Sequence, residues 1–220
     1  MVQIEKTLGW NREIIFQNRE TKQCYRRIIG GLAWPALPAP GFLVVMAEEI
    51  LPNRSLNAPR LWIVAEQEAA SIKDLHRYCR ELRRQCQAEM WLTDTSRKQE
   101  VRLFRNYDRE FVKNPISLHA APYSDSSPTM IYIQIIAELT RPERKVLHFG
   151  ESRLSGYMLS RTPEEGERPA ADFPPLAALG YVCAEVVLRQ PMNPKTLNQK
   201  PITEWNPFTI GQKEEYYNEI

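Results

Sequence analysis

The stretch RRIIGGLAWP, residues 26–35, decides the fold together with GFLVVMAEE, residues 41–49. Both are short apolar runs of the kind that forms buried strands. The connection PALPAP between them cannot lie inside a strand, because proline has no amide N–H to donate to a ladder. A third apolar run, RLWIVAEQE at residues 60–68, follows the turn-like LPNRSLNAP. Three short strands joined by turns predict an antiparallel meander.

The period of the pattern changes after the third run. Ser71 is a suitable helix N-cap, and Asp74 stands in the reciprocal capping position. Apolar residues then recur at spacings of three and four, which defines one helix face. These are Ile72, Leu75, Cys79, Leu82 and Cys86. We therefore predict a helix directly after the meander.

The rest of the chain alternates between shorter strand-like and helix-like segments. AEMWLTD predicts a strand that ends at Asp94, TSRKQEVRLFRNY a short helix and PISLHAA another strand. SSPTMIYIQIIAEL predicts a helix, RKVLHF a strand, GESRLSGYMLSR a short helix and FPPLAALGYVCAEVVLRQ a final helix. Three strands, a helix and a strand followed by more helices predict an α/β protein with a mixed sheet flanked by helices. This is the order of the ribonuclease H-like fold.

The predicted domain covers residues 27–190. Residues 1–26 are polar and mixed, and we interpret them as a lead-in segment with a helix as its candidate structure. Residues 191–220 are rich in Pro, Asn, Lys and Thr without any period, and we interpret them as an extended C-terminal tail.

Composition excludes several classes of protein. The chain of 220 residues has 43% hydrophobic residues, 25% charged residues and a net charge of +2, which is ordinary for a soluble domain. Its longest apolar runs are too short to span a bilayer, and its amino terminus lacks the apolar core of a signal peptide, so we expect a cytoplasmic protein. The four cysteines form no CxxC pair, and we expect them to be reduced and mostly buried.

Motifs for nucleotide binding and nucleophilic catalysis do not occur. The sequence contains no G-x-x-x-x-G-K-[ST], no G-x-G-x-x-G and no G-x-S-x-G. The three histidines have no local partner pattern, and we interpret them as structural. Metal-dependent phosphodiester cleavage remains, because a ribonuclease H-like site gathers carboxylates from the first strand, the fourth strand and a late helix around two divalent ions.

The segments IIGGLAWPALPAPGFLVVMAEE, LWIVAEQEAASIKDLHRYCRELRRQCQAEMWLTD and LAALGYVCAEV together resemble the nuclease domain of phage terminase large subunits. That family has an Asp in the first strand, an Asp at the end of the fourth strand, and a late helix that begins Asp-Ala-Leu-Arg-Tyr, and the resemblance implies the same positions here. These positions fall on Ala33, Asp94 and Ala177, with the Arg on Gly180. Two of the three implied carboxylates are therefore methyl groups.

The resemblance implies a phage or prophage domain that has lost catalysis and binds double-stranded DNA or packaging proteins, with Asp94 vestigial or retained. No cofactor is then expected. The alternative is an active Mg- or Mn-dependent endonuclease with a relocated metal site of Asp94, Glu66 and Asp172. The ATPase domain of a complete terminase is not expected here, because no nucleotide-binding loop occurs.

Basic residues on the predicted first helix are the candidate DNA contacts: Lys73, Arg77, Arg80 and Arg84. The same residues are also compatible with a solvated helix surface, as in a structural subunit without a DNA role. Phosphate contacts would make binding strongly dependent on salt, which separates these two readings.

Overall fold

The computed structural model describes residues 2–9, 12–36, 38–50, 60–109, 114–123, 127–141, 146–150, 152–154, 156 and 167–189. The strands are β1 (Ile4–Leu8), β2 (Ile14–Asn18), β3 (Cys24–Ala33), β4 (Gly41–Glu49), β5 (Leu61–Ala69), β6 (Met90–Thr93), β7 (Ser117–Ala120) and β8 (Leu147–His148). The α-helices are α1 (Ile72–Cys86), α2 (Lys98–Asp108), α3 (Thr129–Thr140) and α4 (Pro174–Arg189), with a 3-10 turn at Ala170–Asp172 before α4.

All eight strands belong to one mixed sheet. Strands β3, β4 and β5 form the antiparallel meander that the sequence predicts. Strand β6 then pairs in parallel with β3, and β7 pairs in parallel with β6. Reading across the sheet gives β5, β4, β3, β6 and β7, with β8 beside β5. Within that order β4 is the one strand that is antiparallel to the others. The predicted ribonuclease H-like fold is confirmed.

Helices cover both faces of this sheet. On one face, α1 and α2 pack over a core that includes Leu32, Trp34 and Trp91. On the other face, α3 and α4 pack over a core that includes Ala33, Leu92 and Ala177. Because strand side chains alternate between faces, neighbouring residues of β3 belong to different cores.

The double glycine of β3 fits between these two layers. A Cβ on Gly30 would lie 2.2 Å from the ring of Trp91, on the α1 face. Trp91 is fully buried, so its ring fills the volume that a side chain at Gly30 would need. The absent side chain thus lets the largest side chain of β6 pack directly against the β3 backbone.

Helix α1 begins as the sequence predicts. The Ser71 hydroxyl oxygen accepts a hydrogen bond from the Asp74 N–H at 3.1 Å and donates to its carboxylate at 2.7 Å. The helix ends at Gln87, which takes a left-handed conformation with φ 59°. The Gln87 N–H donates to the carbonyl oxygen of Arg83, which closes the last turn.

The helix considered for residues 1–26 is wrong. These residues form β1 and β2, an antiparallel hairpin that continues onto the start of β3 through Phe16 and Tyr25. Burial along β1 shows no one-sided pattern, because only Ile4 is buried and Lys6, on the same face of the strand, is exposed. The predicted tail at residues 191–220 lies outside the described residues.

The cysteines match their prediction. All four are free thiols, with Cys79, Cys86 and Cys183 buried and Cys24 partly exposed. Within the described ranges, no helix is both long enough and apolar enough to cross a membrane.

Candidate functional site

Two of the three implied carboxylate positions are neighbours across parallel strands. The register pairs Ile29 with Met90, Gly30 with Trp91 and Gly31 with Leu92. Continued by two residues, it sets Ala33 beside Asp94. The indole N–H of Trp34 donates to the Asp94 carbonyl oxygen at 2.9 Å and ties the two strand ends together. Ala33 and Asp94 share the face of Leu92, since side chains two apart point the same way.

Asp94 is buried, with 5% of its surface exposed. Its Oδ1 atom accepts a hydrogen bond from the Ser96 N–H at 2.8 Å. An aspartate that bonds a backbone N–H two residues on forms an Asx turn, here at the bend between β6 and α2. The side chain therefore has a local structural role at the position where the resemblance implies a metal ligand.

The third position lies on the helix that presses on β3. A Cβ on Gly31 would lie 2.0 Å from the carbonyl oxygen of Ala178 and 2.7 Å from a methyl group of Val182. The backbone of α4 thus rests directly on β3. Ala177 has no exposed surface and belongs to the same apolar cluster as Ala33. The structure brings both alanine positions into one packed layer.

Gly180, where the resemblance implies an arginine, is also enclosed. A Cβ there would lie 2.2 Å from the ring of Tyr132 on α3. That ring makes an edge-to-face contact with Tyr181 at 5.6 Å between centroids. Tyr132 therefore occupies the volume into which a longer side chain at this position would extend.

Glu66 and Asp172, the other acids of the relocated site, each make contacts with residues other than Asp94. Glu66 accepts hydrogen bonds from the Ser152 hydroxyl at 2.6 Å and from the Arg153 N–H at 3.0 Å. Asp172 is paired with Arg168 at 2.7 Å. Across the described residues, no three Asp, Glu, His or Cys side chains are grouped so that they could hold a metal ion. The structure thus does not assemble Asp94, Glu66 and Asp172 into one ligand set.

Glu66 instead lines a cavity of about 580 Å³ beside the start of α4. Its other lining residues include Phe42, Glu68, Leu154 and Pro175. The hydrogen bonds of Glu66 to Ser152 and Arg153 hold this segment against β5, which gives the glutamate a structural role.

The basic residues of α1 differ in how much they are already engaged. Arg80 donates to the carbonyl oxygen of Asn114 at 3.3 Å and lies 3.5 Å from the Asp108 carboxylate. Arg77 pairs with Asp74 at 3.0 Å. Arg84 and Lys73 are exposed, although the Arg84 Nε–H donates to the carbonyl oxygen of Arg80 at 3.4 Å. Of the four predicted DNA contacts, Arg80 thus also holds α1 to the segment after α2.

His76 belongs to the same structural network. Its Nε2 atom lies 3.1 Å from Asp108 Oδ1, and both side chains are buried. The second carboxylate oxygen of Asp108 accepts a hydrogen bond from the Ile116 N–H at 2.7 Å. Helices α1 and α2 and the start of β7 meet at this carboxylate, which agrees with the structural interpretation of His76.

A second basic surface was missed at the level of sequence. Four cations on α2 and at its end share one exposed face, where they line a cleft of about 430 Å³ with Thr95 and Asn106. They are Lys98, Arg102, Arg105 and Arg109, and we call them the α2 stripe. Their spacing of four, three and four residues is visible in KQEVRLFRNYDR, so a helical projection of this segment would have found them.

The chain matches no protein-family model and no curated protein sequence. Its structure is similar to the nuclease domain of the g2p large terminase from bacteriophage SPP1, whose crystal structure contains bound Mn. The similarity has a TM-score of 0.47 and 14% sequence identity, and it covers 71% of this chain and 85% of the SPP1 domain. This likeness concerns the fold, which the strand order of the sheet establishes independently.

Proposed function

We propose that this protein is a DNA-binding module of phage or prophage origin, built on a ribonuclease H-like nuclease domain that has lost its chemistry. The observation that carries the proposal is the pair Ala33 and Ala177. Both are buried in one apolar cluster, at the positions where the terminase resemblance implies carboxylates, and the β3–β6 register sets Ala33 beside the remaining Asp94. A site of the usual composition would have oxygen ligands from all three.

The donor set does not fit a pair of divalent ions. Magnesium takes six oxygen ligands in near-octahedral geometry, and two-metal cleavage needs carboxylates that the two ions share. Of the three positions only Asp94 offers oxygens, and one of them already accepts the Ser96 N–H. Methyl groups at Ala33 and Ala177 can neither coordinate a metal nor order the water that would replace a ligand. This donor set therefore does not support catalysis through a pair of bound metal ions.

The alternative is an active Mg- or Mn-dependent endonuclease with relocated ligands around Asp94. The observation in its favour is that Asp94 is present at the end of β6, buried and fixed in position. Such a site would have to recruit Glu66 and Asp172, which the structure engages with Ser152 and with Arg168. Recruitment would break these bonds, so we rank the alternative second.

A plasmid-cleavage assay separates the two functions. Purified protein is incubated with supercoiled DNA and either Mg²⁺ or Mn²⁺, beside the variant Asp94→Asn prepared in the same way. Asparagine keeps an oxygen that can accept the Ser96 N–H, so this variant removes the charge and leaves the Asx turn. We expect no cleavage by either protein. Metal-dependent cleavage by the wild type that Asp94→Asn abolishes would refute the proposal in favour of the alternative.

DNA binding is measured on the same preparations. We expect the wild type to bind double-stranded DNA with an affinity that falls steeply with ionic strength. A chain that neither cleaves nor binds DNA would instead act as a structural subunit, for which phage packaging proteins are the partners to test. We further propose a cytoplasmic location for the module, since packaging of DNA takes place there.

A further inference from the structure

The α2 stripe is a single continuous cationic surface. At 3.6 residues per turn, the spacing of its four members keeps them within about 60° of one another around the helix axis. All four side chains are exposed. From Lys98 to Arg109 the stripe is about 16 Å long at 1.5 Å per residue. Four positive charges are thus aligned along one edge of the domain.

The four charges of the α2 stripe make no contact that stabilises the described part of the fold. Neighbouring cations are engaged: Arg97 pairs with Glu100 at 2.7 Å, and Arg83 donates to the carbonyl oxygen of Pro115 at 2.8 Å. By contrast, no ion pair or side-chain hydrogen bond joins a stripe residue to any other part of the chain that the structure describes. The two acids of α2 are engaged elsewhere, Glu100 with Arg97 and the buried Asp108 with His76. The stripe therefore has uncompensated charge available for a partner.

The α2 stripe lies close to the end of β6. The cleft that it lines also includes Thr95, the residue after Asp94. The bend there is fixed by the Ser96 hydrogen bond and by the contact between Trp34 and the Asp94 carbonyl oxygen. A polyanion along the stripe would thus be led to the edge of the sheet where Ala33 and Asp94 lie side by side.

The chemistry of the stripe favours the backbone of a duplex. Guanidinium groups bind phosphate oxygens in a bidentate manner, and over about 16 Å one strand of a duplex presents about five phosphates. Single-stranded nucleic acid is held mainly by stacking of bases on aromatic side chains. Among the described residues that line the cleft there is no aromatic side chain, and the exposed Tyr107 lies on the opposite side of α2.

We propose that the α2 stripe binds the phosphate backbone of double-stranded DNA, without sequence preference, and aligns the duplex with the strand ends at Asp94. This inference rests on the proposed DNA-binding function and assigns it to a surface other than the basic face of α1. The α1 face has fewer uncommitted charges, because Arg80 and Arg77 already pair within the helix layer.

The test uses two matched triple variants of the full chain. One is Lys98→Gln, Arg102→Gln and Arg105→Gln on α2, and the other is Lys73→Gln, Arg77→Gln and Arg84→Gln on α1. Each removes three positive charges from a net charge of +2 and leaves −1, so both change the overall field equally. All six positions are exposed, so thermal unfolding should show both variants to be folded.

Fluorescence anisotropy with a short labelled duplex gives affinities across a series of NaCl concentrations. For three lost phosphate contacts we expect the α2 variant to bind about 100-fold or more weakly near 0.1 M salt, with a salt slope smaller by about 2 to 3. The α1 variant should stay within about threefold of the wild type, since exposed charges away from the contact act only through the screened field.

The outcomes separate the inference from the function on which it rests. A wild type that binds while the α2 variant binds equally well, or while both variants weaken equally, overturns the inference and leaves the proposed function intact. A wild type that does not bind duplex DNA even at low salt overturns both. Binding of polyglutamate through the stripe, without binding of duplex DNA, would assign the surface to an acidic protein partner and would also overturn the inference.

Discussion

The variant Gly31→Ala tests how α4 is held against the sheet. The added Cβ would lie 2.0 Å from the carbonyl oxygen of Ala178 and 2.9 Å from its carbonyl carbon. Real Cβ contacts essentially never fall below 3.0 Å, so α4 would have to withdraw from β3 by about 1 Å. The obstacle is main chain, so no change of rotamer can relieve it.

The expected cost follows from this geometry. Overpacking of a well-packed core typically costs about 1 to 3 kcal/mol, and a rigid helix backbone belongs at the upper end of that range. Replacing glycine also restricts the unfolded chain, which offsets about 0.4 to 1 kcal/mol. We therefore expect Gly31→Ala to lower the free energy of unfolding by about 2 to 2.6 kcal/mol. The control is Gly9→Ala, in which the new Cβ would be no closer than 3.1 Å to the Glu13 and Ile15 side chains. This control should change the free energy of unfolding by less than about 1 kcal/mol.

Urea unfolding followed by far-ultraviolet circular dichroism measures both variants. A second variant, Gly31→Ala with Val182→Ala, removes the methyl group at 2.7 Å and leaves the carbonyl oxygen in place. If the main chain is the obstacle, this second change gives no recovery of stability. A loss below about 1 kcal/mol in Gly31→Ala, or its recovery when Val182 is truncated, would refute the main-chain contact between α4 and β3.

Two further predictions concern buried groups. Asp108→Ala should lower the free energy of unfolding by about 3 kcal/mol in urea unfolding, because the Ile116 N–H loses its acceptor and His76 its carboxylate partner; a loss below about 1 kcal/mol would contradict this. Burial raises the pKa of the Cys79, Cys86 and Cys183 thiols. For Cys86 the pKa is raised to about 11. At pH 8 only Cys24 should therefore react rapidly with a disulfide reagent such as DTNB, and stability should fall as the pH rises above about 8.5, where the unfolded chain loses the thiol protons. Fast reaction of more than one thiol in the folded chain would contradict this.

The sheet could be predicted from the sequence because its central strands are apolar and clearly separated. Proline-rich connections bound β3 and β4, and the change from a period of two to spacings of three and four marks the passage from β5 to α1. The N-cap at Ser71 is a local effect of one side chain on the next turn, so it too can be recognised without tertiary information. Strand order followed from the sequence of elements.

The first hairpin could not be predicted in the same way. Half of the residues of β1 and β2 are polar or charged, and Glu5 of β1 pairs with Arg19, the residue that follows β2. Their strand conformation comes from pairing with each other and with the start of β3, which is a tertiary effect. Context of this kind overrides local propensity in edge strands.

The basic surfaces of α1 and α2 could not be distinguished from the sequence for a related reason. Basic residues on α1 and α2 look equivalent in the sequence, because charge alone does not show what each side chain contacts. In the structure Arg80 bridges to Asp108 and the Asn114 carbonyl, whereas the α2 stripe projects outward. Only the packing of α1 against the segment after α2 distinguishes a cation that stabilises the fold from one that is available to a ligand.

The same packing bears on the alanines at two positions where the terminase resemblance implies carboxylates. Ala177 has no exposed surface, and Gly180 one turn later lies against the ring of Tyr132. A carboxylate at Ala177 would be buried among apolar side chains, where an unpaired charge costs several kcal/mol unless a cation balances it. One residue further along α4, the carbonyl group of Ala178 rests directly on Gly31 of β3. The two alanines are therefore part of a layer packed as core, and building a metal site there would require this layer to open as well as two substitutions.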